Sequence, residues 1–178
     1  MSGKTSDSDT PYEGKYLRIK RSNGWEFVQR TKVTGVVAML AITDENKVLL
    51  IEQFRPPLGK TVVEIPAGLA GDISEGEPLV EAARRELLEE TGYDAAELEQ
   101  VFEGPSSAGL TDEVITIFLA RELKKAGMGV GDGSEKITLH EIPLAEVDRW
   151  LKSRQALGHI VDSRVYTALY FELRSRGR

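Results

Sequence analysis

Between Pro78 and Gly92 the chain carries the signals for both ends of a helix, and what lies between them narrows what the rest can be. Proline suits the first helical turn, where its missing N–H costs nothing, and glycine suits the position just past the end. Pro78 to Thr91 therefore reads as a helix. Leu79, Val80, Ala83 and Leu87 lie along one flank of it, an apolar stripe that has to pack on a sheet. On a helix of about 3.6 residues per turn, Glu86, Glu89 and Glu90 project within about 100° of one another. Like charges so placed repel unless something neutralises them. A solvated face is the ordinary fate of a glutamate run. The alternative is a cation site, since carboxylate oxygens are hard ligands suited to Mg²⁺ or Mn²⁺, and those ions also bind phosphate oxygens.

The sheet that such a helix needs is visible on both sides of it. Val33 to Thr43 and Lys47 to Phe54 are rich in valine, isoleucine and leucine and are split by the turn residues Asp44-Glu45-Asn46. Thr61 to Ile65 reads as a short strand stopped by Pro66, and Ala67 to Gly71 has so little side chain that it reads as a loop. Val114 to Ala120 and Lys136 to Ile142 are later strands. Between them Gly127, Gly129, Gly131 and Gly133 alternate with other residues in what reads as a flexible loop. Pro143 opens a helix with Leu144, Val147 and Leu151 at helical spacing. A last helix from Ser163 to Arg174 turns Val165, Ala168, Leu169 and Leu173 inward. Upstream, Tyr16 to Arg21 and Trp25 to Arg30 flank Ser22-Asn23-Gly24, an Asn-Gly hairpin turn. The division is thus a polar, disordered tail over 1–10, a hairpin over 11–31 and one α/β domain over 32–178.

With 178 residues, 40% of them hydrophobic, one domain can bury a sizeable core. The net charge of −6 speaks against a surface that tracks a long nucleic acid, whereas a small anionic ligand is admissible if cations are recruited locally. The absence of cysteine excludes disulfides, thiolate nucleophiles and cysteine zinc sites, and suits a reducing cytoplasm. The N-terminal stretch has no apolar run of the kind that signal peptides or membrane spans require. His140 and His159 stand alone in sequence and read as surface or hydrogen-bonded core residues rather than a catalytic pair or metal site.

Gly71 to Tyr93, GDISEGEPLVEAARRELLEETGY, resembles the Nudix box: glycine, five residues, glutamate, seven residues, Arg-Glu, an apolar residue, any residue, Glu-Glu, any residue, glycine, an apolar residue. Gly71, Glu77, Arg85, Glu86, Leu87, Glu89, Glu90 and Gly92 match in register, and Tyr93 departs by being aromatic. Chance agreement at the seven fixed positions is expected roughly once in ten million starting points, which makes this a strong signal. The resemblance implies a Nudix α/β/α sandwich around a mixed sheet. It also implies metal binding by Glu86, Glu89 and Glu90, together with the backbone carbonyl just before the box glycine, that of Ala70. Arg85 takes an orienting role, with Glu77, Glu81 and Glu89 within its reach. Glu81 itself is demanded by no box position and reads as solvated.

Outside the box, EQFRPPLG at 52–59, VVEIPAG at 62–68, SAGLTDE at 107–113 and EKITLHEIPL at 135–144 resemble the ADP-ribose pyrophosphatase branch. The activity this implies is Mg²⁺-dependent attack of water on a diphosphate, splitting ADP-ribose into AMP and ribose 5-phosphate; the alternatives are another nucleotide sugar or a dinucleotide as substrate, or a non-catalytic nucleotide-sensing Nudix module. Arg55 would grip phosphate with its guanidinium fork or else be a strand-end charge. Glu64 would support the site or be the polar end of a strand. Asp112 and Glu113 would meet the terminal ribose, order the loop or act as caps. Ala108 stands where branch members often have proline, which bears on the sugar and not on the diphosphate. The branch tends to exchange its N-terminal hairpin between two subunits. A homodimer is therefore expected, in which Trp25 stacks on the base or, alternatively, packs in a core, the stronger expectation for Trp150. If metal holds the helix glutamates, the general base must come from elsewhere. The branch draws it from the loop after the strand at 114–120, where Glu135 is the candidate ahead of Asp132, and a helix glutamate such as Glu89 is the fallback.

Overall fold

The computed structural model describes residues 8–129 and 136–177. The elements in order are β1 (Ser8–Glu13), β2 (Leu17–Ser22), β3 (Trp25–Arg30), β4 (Gly35–Ala41), β5 (Lys47–Arg55), β6 (Lys60–Glu64), β7 (Ala67–Ala70), α1 (Leu79–Thr91), β8 (Tyr93–Pro105), β9 (Val114–Lys125), β10 (Ile137–Pro143), α2 (Val147–Ala156), β11 (Ile160–Val161) and α3 (Ser163–Arg176). Two four-stranded sheets make the body, in the orders β10-β5-β6-β11 and β7-β4-β9-β8, and a three-stranded sheet β1-β2-β3 stands apart from them. Each body sheet is mixed: β4 runs parallel to β9 and β6 parallel to β11, while the other pairs are antiparallel.

The layering follows from strand alternation. On β4, Val36, Ala38 and Leu40 point into a core shared with β5, β6, β9, α2 and α3, while Val37, Met39 and Ala41 point the other way, against Ala82, Ala83 and Leu87 of α1. With both faces covered, β4 reads as an unbroken apolar run. Helices on either side of sheet give the expected α/β/α sandwich. Among the described residues no helix is long and apolar enough to cross a membrane.

The local signals behave as their chemistry requires. Asn23 (φ 51°) and Gly24 (φ 82°) take the two positive angles of the β2–β3 turn. Gly92, at φ 73°, caps α1 with its N–H on the Leu88 carbonyl. Pro78 sits one position earlier than expected, at the N-cap. Five readings need correction. Val80, expected on the packing stripe of α1, is exposed, and Ala82 is buried instead. Ser8 to Thr10, assigned to the tail, belong to β1 and pair with β2, so the expected hairpin is a three-stranded sheet. Ala67 to Ala70 form a strand on the edge of β4, because small residues suffice where α1 closes over them. Pro143 ends β10, and a 3-10 turn precedes α2. Leu173, placed inward from its spacing, is 63% exposed, and the buried residue of that turn is Glu172. Its carboxylate is held by Arg121 of β9 at 2.6 Å and Arg176 at 2.5 Å, which anchors the C-terminal half of α3 to the sheet.

Candidate active site

A cleft of about 860 Å³ opens between the α1 face and the N-terminal end of α3. On one side it is lined by Arg85, Glu86, Glu89 and Glu90 and the β7 backbone at Ala67 to Leu69. On the other it is lined by Arg55, Glu64, Asp162 and Arg164, with Arg30 and Glu113 at the rim. The box residues and the branch residues, distant in sequence, thus share one cavity.

Arg85 organises the α1 side. Its Nε and Nη2 donate to the two oxygens of Glu77 at 3.0 and 3.1 Å, its Nη1 to Glu86 at 2.7 Å and Glu89 at 3.4 Å, and Nη2 also to the Leu69 carbonyl at 2.9 Å. The orienting role expected for it is thereby made specific: of the three glutamates within its sequence reach, it takes Glu77 and Glu89. Glu77 returns the hold by accepting the Gly71 N–H at 3.2 Å. The Arg85 hydrogen bond keeps the Glu77 carboxyl below the usual carboxylate range, against its partial burial. The bond to Glu77, with Glu86 beside it, likewise raises the Arg85 guanidinium.

Glu86 and Glu90 are tied to β7 from below. Glu90, buried, accepts the Ala67 N–H at 3.0 Å, and Glu86 accepts the Leu69 N–H at 3.3 Å. Gly68 makes this close approach possible, since a Cβ built there would lie 1.9 Å from the Glu86 carboxyl carbon. Burial pushes the Glu86 carboxyl up; Arg85 counteracts this, and the nearby Glu89 charge adds to it.

The donor set is one of hard carboxylate oxygens around a glycine cradle, and it fits a divalent cation. Among the described residues no three acidic or histidine side chains are gathered closely enough to share an ion as they stand. Of the three α1 glutamates Glu89 is the most exposed, with its carboxylate in a long contact with Arg85 at 3.4 Å. The Ala70 carbonyl accepts from the Thr34 N–H at 2.8 Å and from Thr34 Oγ1 at 3.1 Å. The backbone N–H groups that meet the carboxylates are those of Ala67 and Leu69.

On the opposite wall, Glu64 is buried at the end of β6 and lies between two guanidinium groups. Arg55 Nε and Nη2 reach its Oε2 at 2.9 and 2.7 Å, and Arg164 Nη2 reaches its Oε1 at 2.9 Å. Arg164 also binds Asp162, the N-cap of α3, through its backbone N–H, Nε and Nη2 at 2.7–2.9 Å. Burial alone would lower Arg164 and raise Asp162, but their mutual bonds win, leaving Arg164 above and Asp162 below the ordinary values. The Arg164 contribution had no signal in the sequence, since Glu64 is 100 residues away and is brought to it through the β6–β11 pairing.

The N-terminal sheet reaches the rim residue by residue. The Val28 N–H donates to the Leu110 carbonyl at 2.8 Å, Gln29 donates to Asp112, and Arg30 Nε pairs with Glu113 at 2.5 Å. Through these bonds Asp112 and Glu113 join their loop to β3. Arg30 was not singled out in the sequence, for the same long-range reason. Trp25 is 64% exposed at the start of β3, outside both the core and this cleft. Trp150 packs against the core and over His140 with ring centroids 5.0 Å apart. The two histidines are not solitary: His140 Nε2 and His159 Nδ1 meet on Glu52 at 3.1 and 3.0 Å, each satisfied by that carboxylate. Glu135 and Asp132 lie outside the described residues.

The chain belongs to the NUDIX family: the profile of the NUDIX domain matches residues 32–165. It is 37% identical over 148 residues to the ADP-ribose pyrophosphatase of Bacillus subtilis, an alignment covering 80% of this chain and 75% of that protein. It is 38% identical over 138 residues to the methanol dehydrogenase activator of Bacillus methanolicus, covering 77% and 71%. The GDP-mannose pyrophosphatase of Escherichia coli K12 is 30% identical over 167 residues, covering 91% and 82%. A solved structure described as an ADP compounds hydrolase superposes with a TM-score of 0.70 over 97% of this chain and 94% of that one, at 22% identity, a likeness of fold.

The Asp162–Arg164 pair has a pH signature. Because the folded state depresses the Asp162 pKa, the pair's contribution is complete above the unfolded value near 3.8 and is lost as pH falls through the lower folded value. Asp162→Asn keeps an acceptor for the helix N-cap but not the charge. Its melting temperature is expected to lie below that of wild type at pH 7, and the gap to close as pH falls below 4. A gap of constant size from pH 7 to pH 3 would show that the charge of Asp162 does not stabilise the fold.

Proposed function

We propose that this Nudix pyrophosphohydrolase uses Mg²⁺, with Mn²⁺ as the alternative ion, to hydrolyse ADP-ribose to AMP and ribose 5-phosphate. The observation that carries the reading is the two-sided cleft, with hard carboxylate donors on α1 facing a guanidinium pair across a space that suits a small diphosphate. When bound at Glu86, Glu89 and Glu90, the cation supplies Lewis acidity toward the diphosphate oxygens and the attacking water. Arg55 binds phosphate from the opposite wall, held by Glu64. Arg85 keeps the glutamates in register and takes no proton. Arg30 and Glu113 border the space left for the remainder of the substrate. The resemblance to the ADP-ribose pyrophosphatase favours that substrate; GDP-mannose or another nucleotide sugar is the second reading, favoured by the relatives named for it. The cysteine-free composition suits action in the cytoplasm.

Wild type with Mg²⁺ is expected to release AMP from ADP-ribose faster than GMP from GDP-mannose, as read by chromatography. Glu86→Gln and Glu90→Gln should each reduce kcat by about two or more orders of magnitude with little change in circular dichroism. Near-normal turnover by either variant at limiting Mg²⁺ would remove that residue from the metal site.

The general base is proposed to be Glu135, two positions before β10 in the sequence, as the resemblance implies. The comparison is Glu135→Gln against Asp132→Asn in single-turnover kinetics with metal and substrate saturating. A large drop for Glu135→Gln alone is expected. A drop for Asp132→Asn alone transfers the role, and no drop in either returns it to a helix glutamate such as Glu89.

A homodimer is proposed on the N-terminal sheet, which leaves Tyr12, Tyr16, Leu17, Ile19 and Trp25 exposed and is too small to be stable in isolation. In a second copy Trp25 would be available to stack on the substrate base. Light scattering at micromolar concentration is expected to return about twice the 19.7 kDa chain mass. A monomer would dismiss both the dimer and any role for Trp25 across it.

A further inference from the structure

We infer that Arg164, on the last helix of the fold, is a positioning residue for the phosphate-gripping Arg55, acting through the buried carboxylate of Glu64. The inference rests on the diphosphate-hydrolase reading above and extends it to a residue that lies outside the Nudix box and outside every string by which the branch is recognised.

The geometry is a relay of four alternating charges across three elements. Asp162 caps α3 and fixes Arg164, which occupies Glu64 Oε1 at 2.9 Å, while Glu64 Oε2 takes both Arg55 Nε at 2.9 Å and Arg55 Nη2 at 2.7 Å. Two donors of Arg55 on one oxygen set the direction of its guanidinium, so that direction is only as fixed as Glu64 itself. Glu64 is 3% exposed, leaving its carboxylate to rely on protein donors. The only donors to that carboxylate among the described residues are Arg55 and Arg164.

Without Arg164, Oε1 would lose its partner and a buried carboxylate would be left with one cation. Glu64 would then draw Arg55 inward to satisfy both of its oxygens, at the expense of the cleft. With Arg164 in place, Arg55 Nη1 carries no hydrogen bond to any described residue and is the atom left to meet a phosphate oxygen. Lysine cannot substitute, because one ammonium does not provide the planar fork that serves Asp162 and Glu64 together.

The test is a double-mutant cycle on Arg164→Met and Arg55→Ala, read as KM and kcat with Mg²⁺ and accompanied by melting temperatures. Arg164→Met alone is expected to raise KM about tenfold with kcat within about threefold of wild type. In the Arg55→Ala background it should raise KM by less than about twofold, because the group it positions is gone. Arg164→Lys is expected to recover less than half of the lost kcat/KM. A purely structural Arg164 would lower the melting temperature equally in both backgrounds while its KM effect multiplied with that of Arg55→Ala, and that result overturns the inference. If Arg164→Met does not fold, Asp162→Asn, which loosens Arg164 and keeps the helix cap, enters the same cycle with the same criterion.

ADP-ribose and GDP-mannose both carry the diphosphate, so the cycle is read on whichever wild type turns over. Should wild type turn over neither, the proposed function fails by itself. The cycle is then read as dissociation constants for ADP by calorimetry: non-additive losses support the positioning role, and additive losses or no binding by wild type overturn it.

Discussion

Three glutamates on one face of α1 would repel one another, and the guanidinium of Arg85 offsets the charge of two of them, Glu86 and Glu89. Arg85 bonds Glu77, Glu86, Glu89 and the Leu69 carbonyl, tying the loop before α1, the helix itself and the β7 edge into one unit. A lysine could neutralise one of these charges but could not address several partners in a plane. The cost of the arrangement is visible at Glu86, where burial and Glu89 outweigh Arg85. The glycine at position 68 brings the β7 backbone close to that carboxyl.

The opposite wall solves the inverse problem. There a single buried carboxylate, Glu64, gathers two arginines that would otherwise repel each other. The substrate proposed for the cleft is anionic and would approach with a metal cation on one side and a guanidinium on the other. Such a pairing lets a chain with a net charge of −6 bind a phosphate without a basic surface. α3 is held at both ends by ion pairs of this kind, Arg164 with Glu64 near its start and Glu172 with Arg121 near its end. The cleft wall thus has a rigid backing.

What the sequence made legible was local or periodic. The Asn23-Gly24 turn, the Pro66 stop, the Gly92 cap and the helix glutamates each carry their reason within a few residues, and the structure places them accordingly. What it hid depends on partners far along the chain. β7 is made of small residues with no strand signal of their own, and exists because β4 offers an edge and α1 a cover. β8, 13 residues long, carries no strand signal of its own because it is largely polar with irregular burial, and it is held by its pairing with β9. Glu52 draws two histidines separated by 19 positions onto one carboxylate, a meeting no spacing rule would suggest. Arg164 and Arg30 escaped notice in the same way: each is an ordinary cation until Glu64 or Glu113 is brought to it.

The N-terminal sheet is joined to the cleft through consecutive residues of β3, with Val28 on Leu110, Gln29 on Asp112 and Arg30 on Glu113. The NUDIX match begins at residue 32, two positions after Arg30. The boundary by which the family is recognised and the boundary of the working cleft therefore do not coincide. A fragment trimmed to the recognised domain would retain the acidic helix intact yet arrive without part of the rim of its own cavity. Substitutions in the segment outside the family match would therefore alter the rim without touching the acidic helix.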